Sequence, residues 1–221
     1  MIPLHSCFRR RASCWASTVV LATALIAPGA LVAAVLSTEA IQTLTFMREE
    51  EKLARDVYLT LNEAWGQSVF ANIARSEQQH MDAMLAMLNR YGLPDPATTV
   101  MGVFNNSDLQ ALYTELVNRG QQSAVEALSV GAAIEEIDIL DLQQALADEQ
   151  LPADLRQSYE NLLAASGNHL RAFVRNIENQ GLVYEAQFMG SEQLAAILDA
   201  PTWRPKSNER GQNGRGRISK R

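Results

Sequence analysis

Outside its first 34 residues this chain holds two histidines, His80 and His169, and both fall in the middle of long helix-patterned runs. In Ser76-Glu77-Gln78-Gln79-His80 a carboxylate and an imidazole stand three residues apart. On a helix that spacing puts both side chains on one side, about one turn apart, where they can hold the same metal ion. In isolation the pattern also fits a solvated or core histidine. More acids gather around it. In Glu49-Glu50-Glu51 the apolar steps Leu44, Met47, Ala54, Tyr58 and Leu61 leave Glu51 at the interior position, with Glu50 as its neighbouring alternate and Glu49 expected in solvent. A buried carboxylate needs a cation or a proton. Glu135 occupies the same kind of gap between Leu128, Ala132, Ile139 and Leu142; Asp138 lies on its side of the helix and Glu136, a second alternate, is turned further away. His169 sits at the corresponding level of the last long helix.

The elements that must bring these groups together are all helical. Three- and four-residue apolar steps mark a first helix from Ser37 to Trp65. A Trp65-Gly66-Gln67-Ser68 break opens a second, which stops at Gly92-Leu93-Pro94 and so runs antiparallel to the first. Residues 92 to 121 read as a long crossover containing a short helix capped by Ser107. A third long helix runs from Val125 to Leu146, and a fourth begins with Pro152 as a first-turn proline and ends by Gly181. A last short helix, capped by Ser191, stops before Pro201. The fold class is therefore all-α: two hairpins of long helices joined by a crossover, with short accessory helices. In such a bundle mid-length positions meet, so the interruptions of the four apolar stripes converge. Three or four acids with two imidazoles either form a hydrogen-bonded polar layer or bind cations, and the excess negative charge favours cations.

Composition sets bounds on this reading. With 221 residues, 47% of them hydrophobic, the chain can bury one substantial core. The formal net charge is −6; setting aside three arginines in the first 34 residues and seven basic residues with one acid after residue 203 leaves 9 basic and 24 acidic residues, a net of −15, for residues 35–203. Nucleic acid is thereby excluded as the partner of that domain, whereas metal ions suit it. Residues 1–34 have the pattern of an export signal: Arg9 to Arg11, an apolar stretch from Trp15, and Val32-Ala33-Ala34 as the cleavage site. The expected location is periplasmic or extracellular, or membrane-anchored if the segment is retained. Cys7 and Cys14 both lie inside it, so a metal must be held by oxygen and imidazole. The basic tail, residues 204–221, has almost nothing to bury and is expected to be disordered.

Taken together, Glu50-Glu51-Lys52-Leu53-Ala54-Arg55-Asp56-Val57-Tyr58, Ser76-Glu77-Gln78-Gln79-His80, Ile134-Glu135-Glu136-Ile137-Asp138-Ile139, Gly167-Asn168-His169-Leu170-Arg171-Ala172-Phe173 and Tyr184-Glu185-Ala186-Gln187-Phe188 resemble the ferritin-like superfamily of rubrerythrins and bacterioferritins. The closer resemblance, over about residues 38 to 200, is to the prokaryotic ferritin-like family labelled domain of unknown function 2202. The resemblance implies a ferritin-like four-helix bundle with a di-iron centre, zinc or manganese being the other ions such donors hold. It favours Glu51 over Glu50, because the superfamily's first-helix ligand glutamate is followed seven residues later by a tyrosine, here Tyr58. It implies that Tyr58 supports a ligand by a hydrogen bond or quenches a radical. It also exposes a departure: Ser166 stands three residues before His169, where the superfamily has a second glutamate, and Asp138 is the candidate to replace it. The implied activity is oxidation or peroxide reduction fed by an external electron donor. A metal-binding or structural module of the cell envelope without turnover is the competing expectation, and self-association, as a homodimer or an iron-storage shell, is left open.

Overall fold

The computed structural model describes residues 36–203. The expected export signal and the expected disordered basic tail lie outside the described residues. Among the described residues there are six α-helices and no strand: α1 (Thr38–Trp65), α2 (Ser68–Arg90), α3 (Ser107–Gly120), α4 (Ala124–Leu146), α5 (Ala153–Glu178) and α6 (Ser191–Asp199). None is long and apolar enough to cross a membrane.

Local chemistry fixes most of the boundaries. The Ser37 hydroxyl accepts from Ala40 N at 3.0 Å to start α1, and Ser123 accepts from Glu126 N at 3.0 Å to start α4. Gly66, at φ +63°, ends α1 in the left-handed conformation that glycine adopts without strain. Three expected caps fall one residue away. Asn106, not Ser107, caps α3 by accepting from Asp108 N and Leu109 N. Pro152 is the N-cap of α5 instead of its first-turn residue, and Ser191 is the first residue of α6, behind Gly190.

The long helices pair as hairpins, α1 with α2 and α4 with α5, and the hairpins meet along α1–α4 and α2–α5. Their apolar interior is divided in two. One cluster is built from Leu53, Val57, Phe70, Ile73, Leu128, Phe173 and their neighbours; the other from Leu44, Met47, Met84, Leu88, Leu142, Leu155 and Tyr159. Between residues 47 and 53 on α1, 74 and 84 on α2, and 162 and 170 on α5, the bundle leaves a polar band at mid-height. At its upper border Gly131 lets the Phe173 ring lie directly on the α4 backbone, in a position that any Cβ would occupy.

The crossover is tied to α1 by buried charge. Lys52 is fully buried; its Nζ pairs with Asp56 at 2.6 Å, donates to the carbonyls of Val100 and Val103, and lies 4.2 Å above the centre of the Phe104 ring. Arg48 pairs with Asp95 and donates to Met81 O. Every charge here has partners, which a buried charge requires. The crossover also covers Glu49, whose carboxylate is buried and accepts from Asn105 N at 2.8 Å, so the expectation that Glu49 faces solvent is corrected.

Candidate metal centre

The polar band gathers side chains from all four long helices. Glu51 comes from α1, Glu77 and His80 from α2, Glu135 from α4 and His169 from α5; all five are at most 9% exposed. They form two overlapping groups, Glu51 with Glu77 and His80, and Glu77 with Glu135 and His169; within each, three donor atoms lie within 4.8 Å of one another. Glu77 belongs to both. Its Oε2 is 2.7 Å from His80 Nδ1 and its Oε1 is 2.8 Å from His169 Nδ1. Glu51 Oε2 approaches His80 Nδ1 at 3.2 Å, and Glu135 Oε2 approaches His169 Nδ1 at 3.5 Å. The two imidazoles are stacked with their centres 5.6 Å apart.

Surrounding groups hold these donors in place. Tyr58, fully buried, donates to Glu135 Oε1 at 2.6 Å and leaves Oε2 to face His169. Ser76 Oγ lies 3.0 Å from His169 Nε2, which occupies the far ring nitrogen and turns Nδ1 inward.

Close approach here is not the same as satisfied hydrogen bonding. Glu77 Oε1 and His169 Nδ1 are near each other yet outside hydrogen-bond geometry, and together with Glu51 Oε1 they are buried atoms without a partner. Such orphans are rare in folded proteins and call for an explanation. Charge points the same way. Burial drives the Glu51 and Glu135 carboxyls up. For His80 and His169 burial works against the charged form, but the facing carboxylates outweigh it, raising His80 well above its usual range and His169 to about 10. Burial also opposes ionisation of Glu77, yet the two imidazoles hold its carboxyl well below the ordinary range. The acids therefore favour positive charge between them, carried by protons on the imidazoles or by cations that take their place. A donor set of three carboxylates and two imidazoles, with inward lone pairs left over, fits two divalent ions.

The remaining sequence candidates separate. Asp138 is 6% exposed and next to the cluster, but it belongs to neither group; burial, reinforced by Glu135, pushes it up to about 7. The single Ser166 hydroxyl proton lies within reach of Asp138 Oδ2 and of Leu162 O, while Oδ1 has no partner. At the α5 position where the resemblance leads to the expectation of a glutamate, a hydroxyl holds a carboxylate from α4. Glu50 is buried beside Asp138 and Asp141, also outside both groups; burial first, then those two acids, drives it well up. Asp141 was not among the sequence candidates. Its three-residue step from Asp138 was the available signal.

Glu136, an alternate ligand by sequence, is on the other face of α4 and is corrected to a structural role. Fully buried, it accepts from Tyr184 OH at 2.7 Å and from the backbone N–H of Gln187, Phe188 and Met189 at 2.9, 2.6 and 3.0 Å. It pins the segment between α5 and α6. Glu136→Ala should cost about 1 to 3 kcal/mol for each buried amide left without its acceptor, read by denaturant unfolding, with the metal content of the folded fraction unchanged.

Comparison with known proteins gives this arrangement relatives. The sequence profile of an uncharacterized protein domain, DUF2202, matches residues 40–201. Uncharacterized protein MJ0754 of Methanocaldococcus jannaschii is 45% identical over 179 residues, covering 80% of this chain and 93% of that protein. The crystal structure of hypothetical protein MJ0754 from Methanococcus jannaschii superimposes with a TM-score of 0.74 at 46% identity, covering 76% of this chain and 96% of that one. The chain belongs to the DUF2202 family.

Proposed function

We propose that the helices form a ferritin-like four-helix bundle built around two metal ions, and that the protein is a di-iron carboxylate protein reacting with oxygen or peroxide. The observation that carries this is the Glu77 carboxylate, which offers one oxygen to each imidazole while an inward-facing pair of atoms stays unbonded. A hydrogen-bonded polar layer would have satisfied them.

In this reading Glu51, Glu77 and His80 would hold one ion and Glu77, Glu135 and His169 the other, so that Glu77 would serve both. Two adjacent redox-active ions held there would supply the paired electrons that oxygen or peroxide needs. The chain's own residues do the positioning: Tyr58 orients Glu135, Ser76 orients His169, and the two apolar clusters exclude bulk water above and below. Outside residues 1–34 the chain carries no cysteine to relay electrons, so reducing equivalents come from a separate donor.

A second reading is a metal-binding module of the cell envelope, with zinc or manganese and no turnover. One observation favours it: Ser166 stands where a further carboxylate would complete the donor set. Metal analysis of aerobically purified protein, with absorption spectra before and after peroxide, separates the two. Two irons per chain and a spectrum altered by peroxide are the expected result. Stoichiometric zinc with an unchanged spectrum would move the assignment to the second reading, and a metal-free protein that refuses added iron, zinc and manganese would overturn both.

A further inference from the structure

A pocket of about 560 Å³ opens between the first turns of α1 and the last turns of α4, and the loop that follows α4 closes its far wall. Glu39, Asp141 and Asp148 line it, together with Thr43, Gln42 and Gln144; no lysine or arginine does. It does not touch the five clustered residues, but Asp141 belongs both to its wall and to the acids beneath. Asp141 stands one turn beyond Asp138 on α4, and both are near enough to Glu50 that, after burial, their charge acts on its carboxyl. Glu50 stands next to Glu51 on α1.

The spacing along the helices supports one path. Glu135, Asp138 and Asp141 follow at three-residue steps on α4, so they descend one side of the helix from the centre to the pocket over roughly 9 Å. Across from them Thr43, Met47 and Glu50 descend α1 in the opposite chain direction. Two atoms on this path are unexplained by anything else in the fold. Glu50 Oε2 and Asp138 Oδ1 are buried without partners, on side chains 4% and 6% exposed. The Ser166 hydroxyl holds only the opposite oxygen of Asp138. Neither acid belongs to the two metal-binding groups, so neither orphan is accounted for by a bound ion there.

We infer that the α1–α4 pocket is the entrance through which divalent cations reach the centre, handed inward from Asp141 to Glu50 and Asp138 and then to Glu51. This rests on the two-metal reading above and adds a route to it. Acids along a low-dielectric passage concentrate cations and speed their capture, by ten-fold or more where such focusing operates. An orphaned carboxylate oxygen on that path gives a passing ion a place to rest without holding it as tightly as the full donor set does.

The test is the rate at which metal-free protein takes up Co²⁺, followed by the visible absorption of the bound ion in stopped flow. Asp141→Asn and Glu50→Gln should each slow loading about ten-fold, and Thr43→Lys, which sets a positive charge on the pocket wall, should do the same. Final cobalt content should stay at the wild-type level in all three. Glu160→Gln, an exposed acid on α5 away from the pocket, should load at the wild-type rate. Wild-type rates in Asp141→Asn and Thr43→Lys would overturn the route and leave the centre standing. A drop in final content in those two variants would overturn it as well, because the residues would then hold ions instead of passing them. A wild-type protein that binds no Co²⁺ would remove the centre itself and the route with it.

Discussion

Glu77→Ala should strip both ions from the protein, whereas Glu51→Ala and Glu135→Ala should each weaken chiefly one. The asymmetry follows from the two overlapping groups, which share Glu77 and nothing else. Even a residue that only supports a ligand typically changes metal affinity 10- to 100-fold, so loss of the shared carboxylate should exceed about a hundred-fold at both positions. His80→Ala should act on the Glu51 side and His169→Ala on the Glu135 side. Glu49→Gln provides the control, since Glu49 is buried in the same helix but bonded to the crossover at Asn105. Metal content by elemental analysis, with circular dichroism to confirm folding, reads all six variants. If Glu77→Ala and Glu49→Gln lose metal equally, the assignment of faces on α1 and α2 is wrong.

The second large effect is on stability, and its sign depends on pH. An ion present at a hundred times its dissociation constant adds about 2.7 kcal/mol. Two ions therefore add about 5 kcal/mol, a rise of roughly 10–20 °C in melting temperature for a chain of this size. In the metal-free protein the same acids and imidazoles work differently. Asp138 is pushed from 3.8 to about 7 by burial and then by Glu135, so the folded state holds its proton more tightly than the unfolded chain does. That contribution is present at low pH and is lost between about pH 4 and 7. His169 goes from 6.5 to about 10 because Glu77 and Glu135 outweigh the burial that disfavours its charge; its contribution is present below 6.5 and is lost as pH approaches 10. Glu77, held low, opposes both only on the acid side, below the ordinary carboxylate range. Metal-free protein should thus lose stability from about pH 5.5 to 9. Metal binding runs the other way, because these ligands must release protons to accept ions. The gap in melting temperature between loaded and metal-free protein should widen from pH 5.5 to 8, and an equal gap at both would refute this account.

Spacing brought forward the five residues that converge, because each is a polar break in an otherwise apolar helical stripe and antiparallel helices of similar length bring such breaks to one height. It also brought forward Asp138, which joins neither group, and left Glu50 beside Glu51 until the resemblance favoured the latter. The all-α class and the crossover were legible for the same reason. Glu49 was not. A periodic reading assigns one buried face per helix, but α1 is covered on two sides, by α2 and α4 and again by α3 with the crossover that seats Lys52 and Glu49. Asp141 escaped because its pocket is completed by Asp148 and Leu151 in a loop, whose placement no stripe encodes. The role of Glu136 likewise depends on residues 184–189, about fifty positions away in sequence. Asn106 in place of Ser107 is a smaller matter: two good capping residues stand side by side, and the chain's path selects the first.

Glu135 and Glu136 are neighbours on α4, about 100° apart around its axis, one held by Tyr58 and facing His169, the other gripped by three backbone amides and a tyrosine. The helix is therefore clamped against torsion from two directions at a single level. It cannot roll to relieve a change of charge in the interior without tearing the C-terminal segment from its anchor. Any adjustment the centre makes must be taken up by side-chain rotamers around a stationary backbone, which makes α4 the fixed reference against which the other helices are positioned.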